Sequence, residues 1–168
     1  GQNVTYTIQT FEGCFVTGIR VDGIELNNTQ LQQVLNSGYT FTNVISNHTF
    51  EVDFGITTYT ILIEYNSNGN VYDNNNNLII SGATITVEHN STPTFIFTGL
   101  PNYHAEQVIV DGFNKGKMDK FTFDSVKANR TLQVNFEINK YTITLNHNSF
   151  GSVLSNQSLT DIYDGEAR

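Results

Sequence analysis

The sequence predicts an all-β chain of tandem sandwich repeats, each about 82 residues long. Three observations carry that expectation. Apolar and polar residues alternate in short stretches such as Phe50, Val52, Phe54 and Leu132, Val134, Phe136. Alternation of that period puts one set of side chains on one face of a strand. The composition favours strands and turns, with 12 Phe, 8 Tyr, 13 Gly and abundant Thr and Asn against only 2 Pro. Finally, one phrase occurs twice. Thr40-Phe41-Thr42-Asn43-Val44 leads through a polar turn to Phe50, Val52 and Phe54; Thr122-Phe123-Asp124-Ser125-Val126 leads to Leu132, Val134 and Phe136. Tyr59-Thr60-Ile61 follows the first copy and Tyr141-Thr142-Ile143 the second.

Taken in order, Val4, Tyr6 and Ile8 alternate as a strand whose expected counterpart is residues 82–88, where Ile85 and Val87 alternate likewise. Ile19-Arg20-Val21-Asp22-Gly23 matches Val108-Ile109-Val110-Asp111-Gly112, a strand running into a tight Asp-Gly turn. Between that turn and the repeated phrase the copies differ. Leu31, Val34 and Leu35 are spaced for one short helical turn, whereas residues 113–120 read as a loop. Thr94-Phe95-Ile96-Phe97 reads as an insertion peculiar to the second copy. Tyr59, Ile61 and Ile63 share a strand face, Asn66-Ser67-Asn68-Gly69 turns the chain, Val71-Tyr72 and Leu78-Ile79-Ile80 are strands, and Asp73 to Asn77 is an Asx loop. The same order returns at Tyr141-Thr142-Ile143-Thr144-Leu145, Asn148-Ser149-Phe150-Gly151 and Val153-Leu154.

This order divides the chain into the C-terminal part of one repeat (1–56), a complete repeat (57–138) and the N-terminal part of a third (139–168). Two arrangements fit: a window on a longer array, or a subunit completed by the next chain. In the second, Tyr141, Ile143, Leu145, Val153 and Leu154 are the residues expected to pack against a neighbour. Within the repeat, Val44, Phe50, Val52 and Phe54 are expected to be buried like Val126, Leu132, Val134 and Phe136.

The net charge of −8, with 8 basic against 16 acidic residues, speaks against nucleic acid and anionic membranes as partners. No apolar run approaches the roughly 18 residues of a membrane-spanning helix. The single cysteine, Cys14, excludes a disulfide within the chain and reads as a small packed residue where the second copy has Tyr103. No phosphate loop, nucleophile elbow or Cys/His cluster with metal spacing is present, so no catalytic, cofactor or transition-metal residue is expected. His48, His89, His104 and His147 are not spaced as ligands, and His48 aligns with Arg130 at a polar turn. Calcium is a minor candidate through Asp73 and scattered carboxylates such as Asp22, Asp111, Glu88 and Glu106, but no Asp-x-Asp-x-Asp pattern supports it. Glycan acceptor triplets begin at Asn3, Asn27, Asn47, Asn90, Asn129 and Asn156.

The phrases Val-Asp-Gly, Thr-Phe-x-x-Val-x-x-Asn-x-Thr-x-x-Val-x-Phe and Tyr-Thr-Ile resemble the tandem bacterial repeats of large prokaryotic cell-surface proteins, grouped with divergent internalin-type B repeats. The resemblance spans the chain and departs from the usual pattern at Gly13-Cys14. It implies all-β modules of extracellular stalks and adhesins, without catalytic residues. The expected fold is therefore an immunoglobulin-like sandwich repeat, with a β-grasp repeat as the alternative. The expected function is a structural unit of an extracellular fibre, stalk or filament that contacts copies of itself. An adhesin-type module recognising carbohydrate or a cell surface is the rival, and aromatic side chains exposed in a groove would favour it.

Overall fold

The computed structural model describes residues 1–143 and 148–152, with the backbone of 162–163. Leu145, His147, Val153, Leu154 and Asn156 lie outside the described residues. The described residues are all-β apart from one helix, and the chain forms two compact units. Unit 1 comprises Gly1–Thr58 with Glu88–Asn90, and unit 2 comprises Tyr59–Val87 with Ser91–Arg168.

Unit 1 holds β1 (Gln2–Tyr6), β2 (Cys14–Val21), β3 (Ile24–Glu25), α1 (Asn28–Ser37), β4 (Tyr39–Val44) and β5 (Phe50–Ile56). They form a β1–β4 pair and a three-stranded sheet in the order β3-β2-β5. Unit 2 begins with β6 (Thr58–Tyr65), β7 (Gly69–Asp73), β8 (Leu78–Ile79) and β9 (Thr84–Glu88). It continues with β10 (Thr94–Gly99), β11 (Tyr103–Val110), β12 (Phe113–Gly116), β13 (Lys120–Thr122) and β14 (Arg130–Ile138). The short strands β15 (Lys140–Tyr141) and β16 (Ile162–Tyr163) pair with each other.

Unit 2 is a sandwich of a four-stranded sheet, β13-β10-β7-β8, and a five-stranded sheet, β12-β11-β14-β6-β9. The alternating residues do what their period predicts. Ile61 and Ile63 from β6, Val108 and Val110 from β11, and Leu132, Val134 and Phe136 from β14 meet Val71, Ile79, Phe95 and Phe97 of the other sheet in one buried cluster. Phe123 and Val126 close it from the β13–β14 connection. The larger sheet is mixed, because β6 and β14 lie side by side in parallel, from Arg130 opposite Ile61 to Val134 opposite Tyr65. Beyond Tyr65 the side chain of Asn66 continues the ladder. Its Nδ2 donates to the Phe136 carbonyl at 2.9 Å, and its Oδ1 accepts from the Phe136 N–H at 3.2 Å. Gly69 lets the chain pass under the Phe136 ring, whose carbons stand 2.5 Å from where a Cβ would sit.

Unit 1 repeats the second half of unit 2 pair for pair. In β2–β5, Val16 faces Phe54, Ile19 faces Val52 and Val21 faces Phe50; in β11–β14, Ala105 faces Phe136, Val108 faces Val134 and Val110 faces Leu132. Both ladders carry a bulge at the same place, at Thr17 and at Glu106. Asp22-Gly23 and Asp111-Gly112 both take positive φ at two successive residues, the turn that suits a twisted hairpin. β3 and β12 then fold back in the same register, with Val21 opposite Ile24 and Val110 opposite Phe113.

The structure corrects five expectations. The counterpart of β1 is β10, not residues 82–88. β1 pairs with β4 with Thr5 opposite Thr40, and β10 pairs with β13 with Thr94 opposite Thr122; in each case the threonine hydroxyls are 2.8 Å apart. β9 instead joins β6. Alternation of period two is common to all strands, so it does not say which strand matches which. Thr94-Phe95-Ile96-Phe97 is thus part of both copies rather than an insertion. The expected short helical turn is a ten-residue helix, because the Asn27 side chain and Gln30 cap each other's backbone N–H groups. Residues 113–120 carry strands β12 and β13 instead of a plain loop. Lastly, Val126, Leu132, Val134 and Phe136 are fully buried, but Val44, Phe50 and Val52 are half-buried and Phe54 is 54% exposed. Among the described residues, unit 1 holds no equivalents of β6, β7, β8 and β9, so nothing covers that face.

This difference sets the cost of truncation. Phe136→Ala should lower stability by about 3–5 kcal/mol, as for a filled core position. Phe54→Ala should cost no more than about 0.5 kcal/mol, the usual range at a surface position. Chemical denaturation of the two variants measures both, and similar losses would contradict the assignment of Phe54 to an uncovered face.

Candidate functional site

The uncovered face of unit 1 is a groove of about 520 Å³ lined by Val4, Tyr6, Phe41, Val44, Asn47, His48 and Phe50. Strand alternation explains its lining. Tyr6 on β1, and Tyr39 and Phe41 on β4, point to one side, where Phe50 of β5 meets them. The Tyr6 and Tyr39 rings stack on Phe50 at 5.7 and 5.5 Å, and Phe41 meets Tyr39 edge to face at 4.9 Å. Phe41 is buried, but Tyr6 is 49% exposed. Register equivalence matches Tyr6 to Phe95, Phe41 to Phe123, Val44 to Val126 and Phe50 to Leu132. In unit 2 those four are buried together with Ile61 and Ile63 of β6. The groove is therefore the hollow that β6 side chains fill in unit 2. Two strand edges flank it: among the described residues β5 has β2 on one side only, and β1 has only β4. Open edges of this kind offer backbone donors and acceptors to an added strand.

At the end of the groove sits a clasp that sequence reading missed. His48 Nδ1 lies 2.8 Å from Asp22 Oδ2, while Asp22 Oδ1 accepts from the Thr49 N–H at 2.8 Å. The His48 ring also lies 4.9 Å from that of Phe41. Unit 2 has the same device with arginine. Arg130 Nε donates to Asp111 Oδ2 at 2.6 Å, the Thr131 N–H donates to Asp111 Oδ1, and the guanidinium lies 5.2 Å from the Phe123 ring centroid. His48 is thus half of a turn clasp and not merely a solvated turn residue. The signal was present in the sequence, in two Asp-Gly turns and a basic residue at the same step before each Thr.

Several other candidates take part in local hydrogen bonds. Asp73 accepts from the N–H groups of Asn75 and Asn77 and from the Asn77 side chain, so its oxygens close their own loop and its pKa is lowered, foremost by the Asn77 side chain. His104 is held between Asn139 and Glu106, and the His104 bond is the main cause of the lowered Glu106 pKa. Asn27 caps α1, Asn3 Oδ1 accepts from the Asn43 N–H, and Asn129 Oδ1 accepts from the Thr60 N–H at 2.9 Å. Asn47 and Asn90 are exposed. Cys14 is half-buried opposite Ile56. Tyr141 and Ile143 are both about half exposed. Among the described residues no group of three or more His, Cys, Asp or Glu converges as a metal site. No helix among them is long and apolar enough to cross a membrane.

The clasp predicts an acid dependence. The His48 hydrogen bond, and then that of Thr49, lower the Asp22 pKa on folding. Its contribution is therefore complete above the unfolded carboxylate pKa and is lost as pH falls through the lower folded value. Thermal unfolding of wild type and Asp22→Asn across an acid pH series should show a gap that narrows as pH falls; a constant gap would contradict the clasp. Comparison of the chain with protein-family models, curated proteins and solved structures found no match. The likeness to bacterial surface repeats accordingly rests on its sequence phrases alone.

Proposed function

We propose that the chain is a structural unit of an extracellular fibre, stalk or filament, joined to its neighbours head to tail by completion of the unfinished sandwich. One observation carries this reading: among the described residues, unit 1 reproduces β10 to β14 of unit 2 strand for strand, and leaves open the groove and the two edges where β6 to β9 belong. Each large apolar side chain withdrawn from water there contributes about 1.5–3 kcal/mol, which favours an added strand over solvent. Asp22 with His48, Asp111 with Arg130, and Asp73 each hold a turn, a pattern suited to structure and not to catalysis. The extracellular setting follows from the resemblance to surface repeats.

A second reading is an adhesin-type module recognising carbohydrate. It draws on the half-exposed Tyr6 ring, stacked on Phe50 beside an open groove, since sugars pack on aromatic faces. Head-to-tail association is tested by sedimentation velocity and electron microscopy of the purified chain over a wide concentration range. Linear assemblies growing with concentration are the expected result. A compact monomer at every concentration would overturn the fibre, and sugar binding lost in Tyr6→Ala would then favour the second reading.

A further inference from the structure

Unit 2 also displays what its own β14 face requires of the strand that covers it, and the chain carries those requirements a second time. Three features fix β6 and the following turn on unit 2. The Thr60 N–H donates to Asn129 Oδ1 at 2.9 Å. Asn66 bonds both backbone groups of Phe136. Gly69 leaves room for the Phe136 ring. On the acceptor side, unit 1 holds Asn47 where unit 2 has Asn129, and Phe54 where unit 2 has Phe136. On the donor side, Tyr141-Thr142-Ile143 repeats Tyr59-Thr60-Ile61, and Asn148-Ser149-Phe150-Gly151 repeats Asn66-Ser67-Asn68-Gly69 at the same spacing.

We propose that the open β5 edge of unit 1 binds a second copy of this chain through its Tyr141–Ile143 and Asn148–Gly151 phrases, with Tyr141–Ile143 parallel to β5 in the β6–β14 register. Ile143 of the donor then enters the groove beside His48, as Ile61 stands opposite Arg130. The donor Thr142 N–H bonds Asn47 Oδ1. Asn148 exchanges its local bond to the Phe150 N–H for the N–H and carbonyl of Phe54. Gly151 passes beneath the Phe54 ring. Hydrophobic burial alone would accept several registers; two amides and one glycine at fixed spacing select one. Gly151 is the informative position. Among the described residues nothing lies within 4 Å of a Cβ built there, so none of them requires glycine at this point. Under Phe54, by the Gly69 example, a side chain would collide with the ring.

This assignment rests on the head-to-tail reading and is tested apart from it. Gly151→Val should leave thermal unfolding of the free chain unchanged, yet weaken association in sedimentation velocity by about tenfold or more, the cost of overpacking a close contact. In a Cys14→Ser background, Asn47→Cys combined with Thr142→Cys should be joined by a short bismaleimide into a ladder of multimers. Undiminished association of Gly151→Val overturns the assigned contact while leaving head-to-tail assembly standing. A bridge formed only within single chains overturns the second copy as occupant, and no bridge in chains that still associate overturns the register. If the wild-type chain does not associate at all, the head-to-tail reading fails as well.

Discussion

Unit 2 depends on the parallel contact between β6 and β14. β6 supplies Ile61 and Ile63 to the middle of the core, and only beside β14 do they meet Phe95, Phe123 and Leu132. Without that neighbour the same strand pairs, bulges and turns still form, as unit 1 demonstrates, but the aromatic side chains are left at the rim of a groove. Local structure in this chain is therefore independent of core closure. The β2–β5 ladder keeps its register through its bulge, while burial awaits the covering strand.

Much of this was legible in the sequence. Period-two alternation at Leu132, Val134 and Phe136 marked β14, and the repeated phrase marked β5 as its equivalent. Asp-Gly after each Val located both hairpin turns. The full length of the helix is hard to see in the sequence because its stability lies in a cap, with Asn27 and Gln30 satisfying each other's backbone, and its apolar face is narrow, with only Val34 buried. The place of β1 is hidden in the sequence for another reason. Tyr6 resembles Val87 as well as it resembles Phe95 in an alternating pattern, and only the ladder to β4 separates the two. Burial of Phe54 was overestimated because a pattern reports which side a residue faces, not whether anything lies on that side.

The site was less legible than the fold. His48 and Arg130 share a position without sharing a chemical type, so alignment alone suggested a tolerant surface turn. Their common role emerges from the carboxylate each one meets and the aromatic ring beneath it. The same holds for Asn66 and Asn129, which read as ordinary turn asparagines. Their amides in fact stand in for backbone groups at the two ends of the β6–β14 ladder.

The parallel β6–β14 ladder also has a mechanical meaning. Tension applied at the start of β6 and the end of β14 pulls the two strands along their length in opposite senses. The hydrogen bonds from Arg130–Ile61 to Val134–Tyr65 then share the load in shear, whereas the strands of an antiparallel hairpin drawn apart from its open end would release one bond at a time. The arrangement that closes the core is thus also the one in which the backbone bonds of unit 2 resist stretching together.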